Sequence, residues 1–332
     1  MASLFTGCSK DNDEAVTINP DGTTTGGVNF RRIDDVTFFL DHVKYRMVDS
    51  HLEIIGYDAA ELPSEPKLYG EITINGSLFK TRSIRSEVFK RSSITTIKIP
   101  STVLNIGASC FSKCTSLTKV VIPEGVTSIG QFCFSQCTSL TEISIPQSVT
   151  SIGRRCFEGC TSLTTIVIPQ SVTSIEEGCF VDCTSLIGVT IPQSVTSIGW
   201  YCFKGCTSLT EISIPQSMFF IESYCFDGCT SLAQITIPQG ADFIGLFCFR
   251  GCTSLTEITI PQSVNAICAG CFAGCENLTK MTFANYVSID YFGYPNTGSP
   301  NYRPVATAYV PNSVLSRFKE EYSTYFTEII GY

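Results

Sequence analysis

The sequence predicts an α/β solenoid, and three observations carry that prediction. A 23-residue unit recurs along most of the chain: its leading cysteine returns at Cys110, Cys133, Cys156, Cys179, Cys202, Cys225, Cys248 and Cys271. A fixed period in this range marks stacked coils rather than a globular enzyme core. Within the unit from Cys133 to Arg155, Leu140, Ile143 and Ile145 stand at i, i+3 and i+5. That spacing places a short strand in each coil, and strands of successive coils then form a parallel sheet. Composition agrees, with hydrophobic residues at 43% and charged residues at only 16% of 332, because a fold that extends by stacking needs no single large core.

At the start, Leu4-Phe5-Thr6-Gly7-Cys8 sets small residues just before a cysteine, as signal cleavage and lipid attachment require. Met1 to Glu14 therefore resembles the end of a bacterial lipoprotein signal, and Ser9 to Glu14 resembles the acidic leader of surface-exported lipoproteins in Bacteroidetes. The basic and long apolar regions of a full signal are missing. A disordered tail with a chance cysteine is the other reading. The resemblance implies lipid attachment at Cys8 and display on the outer membrane at the cell surface. Residues 1–28 are expected to form a flexible tether, since Asp11 to Gly27 is rich in Thr, Gly and Asp.

Residues 29–87 lose the period and alternate instead. Val36 to Leu40, Val43 to Val48 and His51 to Ile55 predict short antiparallel strands. Glu71 to Ile74 and Ser77 to Thr81 flank Asn75-Gly76, a two-residue hairpin signal. A solenoid must cover the apolar end of its first coil, so a small β cap is expected here.

The solenoid is assigned to residues 88–284. Val88 to Ser109 keeps Ile94, Ile97, Ile99 and Pro100 in register but lacks both cysteines, so it is a degenerate first repeat. In a full copy the strand ends at Pro146, whose missing N–H would interrupt a ladder. The chain turns through Gln147-Ser148, buries Val149 and Ile152, and bends at Gly153 into the segment holding Cys156, Phe157 and Cys160. A phenylalanine follows the marker cysteine in all eight copies.

These copies resemble the BspA-like branch of leucine-rich repeat proteins, whose units look like S-L-T-x-I-x-I-P-x-S-V-T-S-I-G-x-x-A-F-x-x-C. The resemblance implies a leucine-rich repeat array that binds host or bacterial surface macromolecules. Two departures stand out. The small alanine of the family is a cysteine in every full copy, and Ser148 and its counterparts stand near the place of the asparagine ladder seen in many leucine-rich repeats.

Residues 285–332 read as a C-terminal cap. Leu278, Met281 and Phe283 keep the last strand positions, and Asn285 to Thr307 is an irregular loop with three prolines and two glycines. Ala308 to Pro311 predicts a closing strand. Asn312 or Ser313 then caps a helix with Leu315, Phe318 and Tyr322 on one face.

Charge and motifs exclude several functions. A net charge of −8 opposes nucleic-acid binding, and no apolar run approaches the ~18 residues that span a bilayer. The only histidines, His42 and His51, lie in the cap, so no Ser-His or Cys-His dyad falls on the repeats. Sixteen cysteines form eight C-x-x-x-C pairs, one per coil, a poor match to the converging pairs of a zinc site. Cys268 and Cys271 form a C-x-x-C, but Cys268 occupies the usual glycine position outside any βαβ unit. Reduced, buried packing is the expectation for the pairs; an extracellular address would favour disulfides within them instead. No catalytic residue, metal or cofactor is expected.

The outward strand columns are mostly hydroxyl or β-branched, which suits a strand as much as a ligand. Binding is therefore sought where the copies stop agreeing. Phe219-Phe220 replaces the usual Thr-Ser, Asp242-Phe243 replaces it one coil later, and the next turn adds Trp200-Tyr201, Tyr224 and Phe247. At a 23-residue spacing these rings fall on one flank across three coils. Tyr201, Tyr224 and Phe247, each just before a cysteine, have packing as their alternative role. The resulting expectation is a monomeric surface adhesion or recognition protein for an extracellular protein or glycan, touching membrane only through a lipid at Cys8. A glycan-binding accessory of a surface polysaccharide system and a plain spacer are the alternatives.

Overall fold

A computed structural model describes residues 15–289 and 305–332; Cys8 lies outside them. The N-terminal cap contains β1 (Val16–Ile18), β2 (Phe30–Arg32), β3 (Thr37–Leu40), β4 (Val43–Val48), β5 (His51–Tyr57), β6 (Glu71–Ile74) and β7 (Ser77–Ile84). Strands β2 to β5 form an antiparallel meander, and β5 then pairs in parallel with β7. The inward members of the alternation, among them Leu40, Tyr45, Leu52, Ile54 and Ile72, are buried. Asn75 (φ 50°) and Gly76 (φ 81°) are both left-handed, the backbone that a tight two-residue link between β6 and β7 requires.

The tether expectation fails for residues 15–28. Val16 and Ile18 are buried, and β1 pairs in parallel with β6, Val16 opposite Ile72 and Ile18 opposite Ile74. Without β1 the far edge of β6 would present unpaired backbone groups, and Val16-Thr17-Ile18 has the alternation to cover it. A 3-10 turn, Thr25–Gly27, follows.

Strand β7 leads into the solenoid by pairing in parallel with Asn105–Ile106 of the first coil. Most coils carry not one strand but two, the coil of Leu140 to Ile145 keeping only an isolated bridge at Ser144 on its face. The face strand, such as Thr165–Val167, is the one expected from the leucine spacing; a two-residue flank strand, such as Ser151–Ile152, follows the proline turn. Leu140, Ile143 and Ile145 of the face and Val149 and Ile152 of the flank all point inward and are buried. The third side of the coil holds the cysteines and a column of phenylalanines. From Phe89 to Phe272 every ring is stacked on the next at 5.4–5.6 Å, with planes within 9° of parallel. Tyr57 of the cap stacks on Phe89 and extends the column.

The cysteine segment is a chain of tight turns rather than a helix, and stacking explains why. Phe132, Phe134 and Gln136 donate their N–H groups to Arg154, Cys156 and Glu158 of the following coil, leaving only alternate N–H groups for the i→i−3 bonds of Ser135 and Cys137. A helix needs every one of them. The left-handed φ of Phe132 and Gln136 interrupts the helical path as well.

Polar columns hold the turns in place of an asparagine ladder. The hydroxyls of Ser148, Ser171, Ser194 and Ser217 donate to the carbonyls of Val126, Val149, Val172 and Val195 at 2.5–2.9 Å. Beside them the Gln147 and Gln193 side-chain oxygens accept from the N–H groups of Gln170 and Gln216. Ser263 continues the serine column, yet its hydroxyl is buried without a partner. Ser148→Ala is therefore expected to cost about 1 kcal/mol, and Ser263→Ala close to nothing, in urea denaturation. Equal losses would show that these hydroxyls do not act through the bonds described.

At the C-terminal end the face sheet continues from Lys280–Phe283 to Val305–Val310 and Phe326–Gly331, all parallel. Helix α1 (Leu315–Tyr322) lies between the last two strands in sequence and buries Phe318 and Tyr322 on its expected face, Phe318 against Phe283 at 4.9 Å. The helix is capped by Val314 rather than by Asn312 or Ser313, with no side-chain bond.

Candidate ligand-binding flank

On the flank, ordinary coils carry Thr-Ser-Ile-Gly. Thr127, Thr150 and Thr196 each donate a hydroxyl to the carbonyl of the coil before at 3.3 Å. Ile points inward, and the glycine lets neighbouring coils touch: a Cβ at Gly153 or Gly199 would lie 2.4 or 2.6 Å from a backbone nitrogen of the preceding coil. Glu176 and Glu222 stand at this glycine position. The flank sheet is interrupted at those two coils, between Ile152 and Ser174 and between Ile198 and Phe220. Cys268 stands there too but retains its bond to the Ile244 carbonyl at 2.9 Å.

The variable rings separate into two rows. The outer row is open: Trp200 is 55% exposed, Phe219 64% and Phe220 52%, while Phe243 is half-buried with Phe220 edge-on to it at 6.3 Å. Ile221 is buried, so Phe220 and Glu222 on either side of it face outward together. Trp200 of the preceding coil donates its indole N–H to Glu222, which brings the tryptophan onto the same strip.

The inner row is closed. Tyr201, Tyr224 and Phe247 occupy left-handed backbone (φ 60°, 60° and 51°), where other coils use Gly178 and Gly270. They stack along the solenoid at 4.8 and 5.2 Å and are half-buried. Lys204 lies over Tyr201, and Arg250 lies over Tyr224 and Phe247. Both cations are held by the buried Asp227, which accepts two 2.7 Å bonds from Arg250 and faces Lys204 at 3.4 Å. The packing role therefore describes this row better, although the rings pack on one another and on cations rather than folding into the interior. Sequence spacing brought all seven rings to one flank; what it missed is the Lys204–Asp227–Arg250 column, legible as alternating charge at a 23-residue interval.

A second opening lies on the face sheet, where Gly188 leaves a shallow depression between Thr165, Val167, Thr190 and Glu211. The cysteine side offers no chemistry of this kind. All described cysteines are free, and all but Cys275 are buried. The second thiol of each pair donates to a phenylalanine carbonyl of the coil before, as Cys137 does to Phe111 and Cys160 to Phe134 at 3.1 Å. Burial pushes the thiols up, Cys179 and Cys275 to about 12, so they stay protonated and unreactive. Among the described residues no three His, Cys, Asp or Glu converge as metal ligands, and no helix is long and apolar enough to cross a membrane.

The repeat geometry has counterparts. The model of the BspA type leucine-rich repeat region matches six copies, over residues 82–207 and 174–297. The chain belongs to this family. A leucine-rich repeat protein from Bacteroides ovatus is similar at 27% identity and a TM-score of 0.74, over 89% of this chain and 76% of its own. A leucine-rich cell surface protein from Faecalibacterium prausnitzii is 24% identical, with a TM-score of 0.48, over 79% of this chain and 96% of its own. No curated protein sequence matches the chain. BspA-type solenoids are typically not enzymes, and the family points to a protein-binding role.

Proposed function

We propose that this BspA-type repeat protein is a recognition module displayed at a cell surface, and that it engages an extracellular macromolecule through Trp200, Phe219, Phe220 and Phe243. One observation carries the reading: Phe219, Phe220 and Phe243 stand where other coils carry Thr or Ser, Trp200 of the coil before lies beside them, and three of these four rings remain more than half exposed. Contiguous exposed apolar surface costs solubility unless a partner covers it, and aromatic side chains supply large contact area at low entropic cost. The Leu4-Phe5-Thr6-Gly7-Cys8 motif supports display, with Cys8 as the proposed lipid-bearing residue. Catalysis plays no part in this reading.

The test is capture. Pull-downs from extracellular protein mixtures, run beside glycan arrays, should yield a protein partner for the native chain and lose it by at least about tenfold with Trp200→Ser, Phe219→Thr and Phe220→Ser combined. Signal on the glycan array alone would favour the glycan-binding alternative, and no signal on either would leave a spacer.

A further inference from the structure

We infer that the partner surface seated on the outer aromatic row is a basic protein segment, whose Lys or Arg side chains lie against the Trp200 and Phe220 rings and among the Glu176, Glu222 and Asp242 carboxylates. This deepens the proposed binding role and rests on it. Three observations point to this chemistry.

The first is charge. Glu177 meets Arg154 and Arg155 at 3.9 and 3.5 Å, and Asp227 meets Lys204 and Arg250, but among the described residues no Lys or Arg comes within 4.0 Å of Glu176, Glu222 or Asp242. The three uncompensated carboxylates belong to the coils that carry and precede the exposed rings. The second is hydrogen-bond polarity. Three donors of the strip are already engaged inside the protein: Trp200 donates to Glu222, Asn265 to Asp242, and Thr196 to the Thr173 carbonyl. What remains for a ligand is mainly acceptors. A neutral sugar presents hydroxyls that need both partners, whereas ammonium and guanidinium groups only donate. The third is the inner row, where the same flank already shows this pairing: Lys204 and Arg250 sit 5.1–5.7 Å from the centres of Tyr201, Tyr224 and Phe247, held by Asp227. Trp200, Phe219, Phe220 and Phe243 have no such cation among the described residues, so the outer row presents the same acid–aromatic combination without its third member.

Trp200 is the only tryptophan of the chain, so its emission reports this strip alone. The full chain is titrated with a dodecapeptide of Arg-Gly-Leu repeats, with its Glu-Gly-Leu counterpart, and with maltohexaose. The arginine peptide is expected to change Trp200 emission saturably and the other two to leave it unaltered. Binding should weaken at least about tenfold between 0.1 M and 1 M salt, where the screening length falls from about 10 to about 3 Å. Glu176→Gln with Asp242→Asn, which spares the Trp200 bond to Glu222, should weaken it at least about fivefold; near-ultraviolet circular dichroism and melting profiles equal to the native chain would exclude misfolding as the cause. Saturable binding of maltohexaose or of the acidic peptide in place of the basic one would overturn the inference and leave the binding role intact. Silence of Trp200 toward a partner captured by the native chain would remove the aromatic row from the binding role itself.

Discussion

Raising the pH from about 7 to about 10 under reducing conditions is expected to unfold the solenoid, and to do so more steeply than charge repulsion alone would. The folded thiols keep their protons above the ordinary value of 9.0, Cys179 and Cys275 to about 12 and others such as Cys133 and Cys160 well above 9.0, with burial as the leading cause. Below about pH 9 both folded and unfolded chains hold these protons, so the stabilisation is present in full. Above it the unfolded chain releases protons that the folded chain retains, and stability falls as pH rises toward the folded values. Each thiol then costs about 1.4 kcal/mol per pH unit, or about 3 kcal/mol for the pair in one coil. Summed over the coils, one unit exceeds the 5–15 kcal/mol of an ordinary domain. Urea midpoints followed by circular dichroism at graded pH check this. Midpoints unchanged to about pH 10 would mean that the thiols ionise in place and that the cysteine side is wet.

Phe157→Ala is expected to cost about 3–5 kcal/mol, the range for deleting a fully buried aromatic ring. Phe157 is stacked between Phe134 and Phe180 at 5.6 Å on each side and has no exposed surface. In a linear array each coil is supported only by its neighbours, so the loss falls on both adjoining interfaces. Chemical denaturation of the variant beside the native chain measures the loss. A loss below about 1 kcal/mol at Phe157 would show that the column collapses around the gap.

The array was legible because its register is written eight times: Leu140, Ile143, Ile145, Phe157 and the cysteine pairs are repeated at constant spacing and all point inward. The Asn75-Gly76 link and the Phe318–Tyr322 face of α1 were legible from local chemistry. What escaped depends on distant partners. Val16 to Ile18 forms a strand only because β6, more than fifty residues on, offers an edge. The flank strands are two residues long, below the length at which alternation can be read. The division of the seven rings into open and closed rows turns on Asp227, whose buried carboxylate fixes Lys204 and Arg250 over one row and leaves the other bare. Sequence spacing gave the flank but not which ring faces would already be covered.

The proposed binding role turns on Trp200, Phe219 and Phe220 serving a partner rather than the fold. Thermal unfolding of the combined Trp200→Ser, Phe219→Thr and Phe220→Ser chain, measured with its capture of partner, tests that claim. Thr127, Thr150 and Thr196 already bond to the preceding coil from the position that Phe219 occupies, so Phe219→Thr extends an existing ladder and should offset the lost bond between Trp200 and Glu222. The expected result is a stability within about 1 kcal/mol of the native chain together with lost capture, as for surface positions outside the core. A drop of several kcal/mol would show that the rings are part of the core packing and contradict it.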